Sequence, residues 1–126
     1  MSGTKNITDL TYLESIANGN QEFFIQLIEI FLEQIDEFTN GFKEYFSKKD
    51  WKNIVSLAHK AKASVISMGL EELGTDLKSL EIISNDLFDK GLEDKEIEAQ
   101  ILSKIENFIV VCEQARKELI EIINKE

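Results

Sequence analysis

Proline does not occur once in the 126 residues, and glycine occurs only six times. Proline removes a backbone donor and clashes with the preceding helical turn, so its absence favours long unbroken helices, and few glycines favour few tight turns. A single cysteine, Cys112, excludes a disulfide framework and any multi-thiolate metal site. A single histidine, His59, leaves no second imidazole for a zinc pair. There is no apolar run of about 18 residues that could span a bilayer. The segment Met1 to Leu10 has neither the basic nor the apolar block of a signal peptide, so a cytoplasmic location is expected. Bases are in deficit, 14 against 24 acids, for a net charge of -10. Neither a nucleic-acid backbone nor an anionic membrane surface is an expected partner for such a chain, and no membrane insertion is expected. What remains is 43% apolar residues, enough for a core, in a length that fits one domain over 1–126.

The apolar residues recur at three- and four-residue spacing throughout, and no alternating strand pattern occurs. Thr8 is the expected cap of a short first helix carrying Leu10, Leu13, Ile16 and Ala17, stopped by Asn18-Gly19. Asn20 should cap a second helix with Phe24, Leu27, Ile28, Phe31, Ile35, Phe38, Phe42 and Tyr45 on one stripe, weakened or kinked at Asn40-Gly41. Asp50 should cap a third, whose stripe is Trp51, Ile54, Ala58, Ala61, Val65 and Met68, ended by Gly69. A fourth carries Leu73, Leu77, Leu80 and Leu87, with a loop expected from Asn85 to Gly91. A fifth, from about Glu93, aligns Ile97, Ile101, Ile105, Phe108, Cys112, Ala115, Leu119 and Ile122. The expected fold class is all-α: an antiparallel four-helix bundle with a short additional N-terminal helix.

Charge is unevenly spread along the chain. Residues 1–42 carry a net of -6 and residues 63–126 a net of -8, whereas residues 43–62 carry +4 through Lys43, Lys48, Lys49, Lys52, Lys60 and Lys62. This basic island surrounds His59. On a helical wheel His59 falls roughly 130° from the centre of the third helix's apolar stripe, so it is expected at the surface. Lys52, Val55, Lys62, Ala63 and Ile66 fall near it. If Gly69 marks a hairpin turn, residues whose numbers sum to about 140 lie at equal height, because both helices rise equally per residue. Glu81 is then the polar residue level with His59 and a candidate to orient the imidazole.

Other chemistries lack their parts. Position 56 is Ser, so there is no Glu-x-x-His pair for a carboxylate di-metal site, and the glycines form no phosphate-binding loop. The run Leu57-Ala58-His59-Lys60-Ala61-Lys62-Ala63-Ser64, closed by Met68-Gly69-Leu70, resembles the signature of histidine-containing phosphotransfer (HPt) domains. Asp9-Leu10-Thr11-Tyr12-Leu13, Asn18-Gly19-Asn20-Gln21-Glu22-Phe23 and Asp50-Trp51 resemble the family's first helix, following turn and histidine-helix start. The likeness covers roughly residues 8–84.

The resemblance implies a phosphorelay intermediate of two-component signalling rather than an enzyme with kinase activity of its own. His59 would be the phosphoacceptor, Lys62 the cation nearest the phosphoryl oxygens and Lys60 a secondary charge. Gly69 would let the histidine helix turn tightly, and Val55, Ile66 and Lys52 would help dock the partner. That partner would be a response-regulator receiver domain, with a hybrid sensor histidine kinase as a second candidate. No cofactor or metal is expected on this chain, the divalent cation belonging to the receiver. The one departure is Ala63, where the family usually has Gly. It keeps open a second reading, a non-catalytic adaptor of the same fold that binds a receiver or partner helix without transferring phosphate.

Overall fold

Five helices and no strand make up residues 6–125, the part of the chain that this computed structural model describes. They are α1 (Thr11–Ala17), α2 (Gln21–Ser47), α3 (Trp51–Ser67), α4 (Glu71–Lys90) and α5 (Lys95–Lys125). The four long helices close a ring, α2 against α3, α3 against α4, α4 against α5 and α5 back against α2, while α1 lies on α2. Each contributes one apolar stripe. Phe24, Ile28, Phe31, Ile35, Phe38 and Phe42 of α2 are buried with Ile54, Ala58, Ala61 and Val65 of α3. Leu73, Leu77, Leu80 and Leu87 of α4 meet Ile101, Ile105, Phe108, Cys112, Ala115 and Leu119 of α5 in the same core. Each large side chain so buried contributes about 1.5–3 kcal/mol. Phe108 packs in T-shaped arrangements with Phe38 and Phe42, with centroids 6.3 and 5.2 Å away. Burial raises the Cys112 thiol pKa to about 12, with Glu113 adding to the rise against Arg116, so the sulfur is an inert core group.

Two caps form as their side chains dictate: Asn20 accepts from Phe23 N at the start of α2, and Asp50 from Asn53 N at the start of α3. Two expectations require correction. Thr8 does not cap α1; that helix begins after Leu10, and Asp9 Oδ1 instead accepts from Thr11 N at 3.0 Å. The expected loop at Asn85 to Gly91 is helical as far as Lys90. Leu87 is buried, Ser84 fills the core position between Leu80 and Leu87, and the chain has no breaker before Gly91, whose φ of 64° ends the helix. The fifth helix starts at Lys95 because Asp94 Oδ1 accepts from Ile97 N. Asn40-Gly41 neither breaks nor ends α2. A Cβ at Gly41 would lie 2.6 Å from Leu57 Cδ2, so the missing side chain is where α3 approaches α2.

The N-terminal strap is held by a residue far away in sequence. Glu118, 5% exposed on α5, accepts from Ile7 N with both oxygens, at 3.0 and 2.8 Å. Its Oε1 also takes Thr8 N at 3.0 Å and the Thr8 hydroxyl at 2.8 Å, and its Oε2 takes Gln114 Nε2 at 3.2 Å. Burial raises the Glu118 pKa, but the hydrogen bonds from Ile7, Thr8 and Gln114 outweigh it and hold the carboxyl below its ordinary value. A pKa lower in the folded than in the unfolded chain adds stability in full above the unfolded value, about 4.3, and loses it as pH falls through the folded value. Glu118→Gln should therefore cost about 2–3 kcal/mol at pH 7, since it replaces an ionised acceptor with a neutral amide. Urea melts of both proteins should show that gap narrowing as pH falls below the unfolded value and through the folded carboxyl's own lower one.

Candidate functional site

The buried stripe of α3 leaves His59 on the outward side, with its side chain 70% exposed. Its Nδ1 lies 3.5 Å from Glu81 Oε1 on α4, and Lys62 Nζ lies 3.9 Å from the same oxygen. Glu81 is only 20% exposed and Lys62 25%, so the carboxylate and the ammonium are partly sheltered beneath an exposed imidazole. Glu81 Oε1 is buried and has no hydrogen-bond donor within bonding geometry. An acceptor left short of a donor in that setting is costly, and a small rotation of His59 would supply one. A donor at Nδ1 puts the imidazole proton on that nitrogen and leaves the Nε2 lone pair free.

The hairpin register that brings these groups together is visible at a second level. A Cβ on Gly74 would lie 2.7 Å from Ile66 Cγ1, so α4 approaches α3 closely there because position 74 has no side chain. Gly69 turns the chain between the helices at φ 78°, and a Cβ on it would meet Asp9 N and O at 2.6 Å. The strap crosses that turn, with Asp9 N donating to Met68 O at 2.9 Å.

The other residues singled out from the sequence divide. Ala63 is exposed one turn along from His59, Lys52 and Ile66 are exposed, and Val55 is half-buried. Lys60 reaches the α2 flank, with its Nζ 2.7 Å from Glu37 Oε2. Much of the basic island is likewise internally paired: Lys48 with Glu44, and Lys49 with Glu93 and Glu98. Sequence reasoning overlooks Lys78. It lines a groove of about 370 Å³ with Lys62, Ile66, Gly74 and Thr75. The equal-height rule that pairs Glu81 with His59 also sets Lys78 level with Lys62, so the signal was present. Among the described residues no cluster of three or more His, Cys, Asp or Glu could hold a metal ion, and no helix is long and apolar enough to cross a membrane.

No protein-family model matches the sequence. No curated protein matches it either. The structure is similar to the crystal structure of histidine-containing phosphotransfer protein B from Pseudomonas aeruginosa, with a TM-score of 0.60. The match covers 91% of this chain and 98% of that one at 17% sequence identity. The fold is thus an all-α bundle of HPt type with an additional N-terminal helix.

Proposed function

We propose that the chain is a phosphorelay intermediate that carries a phosphoryl group on His59, to or from the aspartate of a receiver domain. The observation that carries this reading is the constellation on the α3–α4 face: an exposed imidazole whose Nδ1 faces a buried, donor-less Glu81 oxygen, with Lys62 on the same carboxylate. In the forward step the Nε2 lone pair attacks the phosphorus of the aspartyl phosphate. An N–P bond forms, the P–O bond to aspartate breaks, and the aspartate leaves as carboxylate. The Nδ1 proton stays on the ring, where a small rotation of the imidazole donates it to Glu81, so no separate base is needed. Charge spreads over the equatorial oxygens in such a transfer, and catalysis is chiefly positioning and charge compensation. The divalent cation is assigned to the receiver. Intact-mass measurement after mixing with a receiver charged by acetyl phosphate tests the proposal. An acid-labile gain of one phosphate on this chain is expected, and no gain overturns it.

Lys62 is the residue assigned to the phosphoryl oxygens. Lys62→Ala should slow transfer at saturating receiver by about tenfold or more, about 1.4 kcal/mol in the barrier. Binding should change far less, because a surface charge alone contributes little affinity and the interaction is made when phosphoryl oxygens are present. Rapid-quench kinetics beside a titration of the unphosphorylated partners separates the two effects.

The adaptor reading is favoured by one observation, the methyl of exposed Ala63 one turn from His59. Reacting atoms must close to about 3–3.5 Å, and a methyl beside the nucleophile can hold the receiver back. Ala63→Gly should raise the transfer rate while lowering stability by about 0.5–1 kcal/mol, as Gly does inside a helix. Transfer kinetics and a urea melt on one preparation show whether rate and stability move in opposite directions. Binding of a charged receiver with no acid-labile mass gain on this chain supports the adaptor.

A further inference from the structure

A second feature lies on the other side of α4 from His59. A groove of about 580 Å³ opens between the first turns of α4 and the middle of α5, closed at one end by the strap residue Ile7. Its open apolar surface comes from Val110, Ile7 and half-buried Val111, over a floor of buried Leu70 and Leu73. Val110 is 68% exposed, a β-branched side chain facing solvent from the middle of a 31-residue helix. The groove is edged by Glu71, Glu72 and Asp76, and no lysine or arginine lines it. Glu71 and Glu72 also offset the α4 dipole, which explains acids in that turn but not the apolar residues left open beside them.

We propose that this groove docks a basic amphipathic helix of a partner protein. Leucine-like side chains would sit against Val110, Val111 and Ile7, and lysines or arginines would face Glu71, Glu72 and Asp76. Two adjacent helices forming a trough suit a third helix laid along them. Charge selects the occupant: the chain carries a net of -10 and much of its basic island is paired internally, so a second copy brings little free positive charge to the acidic edge. A basic partner meets complementary charge instead. None of the groove residues belongs to the constellation around His59, so a helix bound here leaves the imidazole open.

The probe is a labelled peptide of roughly 14 residues, four helical turns, with leucines at helical spacing and lysines elsewhere. Added to the full chain, it should shift the amide resonances of residues 70–76 and 107–114 as one cluster. Val110→Lys should weaken binding about tenfold or more with the thermal midpoint retained, because the side chain is exposed and the charge opposes the peptide. A peptide of equal charge with serine for leucine should bind at least about tenfold more weakly, showing that the apolar surface is used. Equal binding of the two peptides, or shifts scattered over the acidic surface, would overturn the proposal. So would self-association of the chain that Val110→Lys abolishes, since the groove would then belong to a second copy.

Discussion

His59→Gln is expected to take up no phosphate from a charged receiver while keeping its helical content and thermal midpoint. The change removes the only imidazole in the chain, and glutamine offers no nucleophilic nitrogen. The side chain is 70% exposed, and substitutions at such positions usually alter stability by about 0.5 kcal/mol or less. Glu81 keeps a potential donor, because the glutamine amide can occupy the space of Nδ1–H, so the carboxylate is not newly stranded. The expected result is complete loss of the acid-labile mass gain with a superimposable thermal melt. A mutant that unfolds would place His59 among the packing residues, and a mutant still phosphorylated would move the acceptor elsewhere.

Gly69→Ala should produce the largest stability loss of any alanine substitution among the described glycines. Its φ of 78° lies in the left-handed region, which costs a non-glycine residue about 1–3 kcal/mol. The new Cβ would also lie 2.6 Å from the backbone N and O of Asp9, and backbone cannot swing aside as a flexible side chain can. The strap must therefore lift from the α3–α4 turn or the turn must open. Either way the Asp9 N to Met68 O hydrogen bond is lost. With a urea slope of about 1–3 kcal/mol per molar, a midpoint lower by about 1 M or more is expected. Hydrogen exchange should quicken first over residues 7–17 and at the 68–70 turn, because the clash is made there. A midpoint within error of the parent would mean that the strap does not press on the turn.

Fold class and helix phases were legible in the sequence because an amphipathic helix writes its buried face directly into residue spacing. The stripes from Phe24 to Phe42 and from Ile54 to Val65 are buried as their periodicity requires. The same periodicity put His59 outside, and the equal rise of two helices joined at Gly69 put Glu81 at its height. The end of α4 lies beyond the expected loop because Asn85 and Asp86 are poor helix formers but not breakers, and burial of Leu87 carries the helix past them. Thr8 was misjudged for a different reason: its hydroxyl and amide are taken by Glu118, 110 residues away. Local spacing carries no trace of such a partner. Lysine pairing was equally hidden, since Lys60 meets Glu37 and Lys49 meets Glu93 only once α2, α3 and α5 are packed. Residue spacing carries what repeats along one helix: the stripes, two of the caps and the outward histidine. Which charges cancel, where the strap is held, and the buried Glu81 oxygen that lacks a donor emerge only when the helices pack. Those depend on distances between elements remote in sequence, which packing sets and periodicity does not contain.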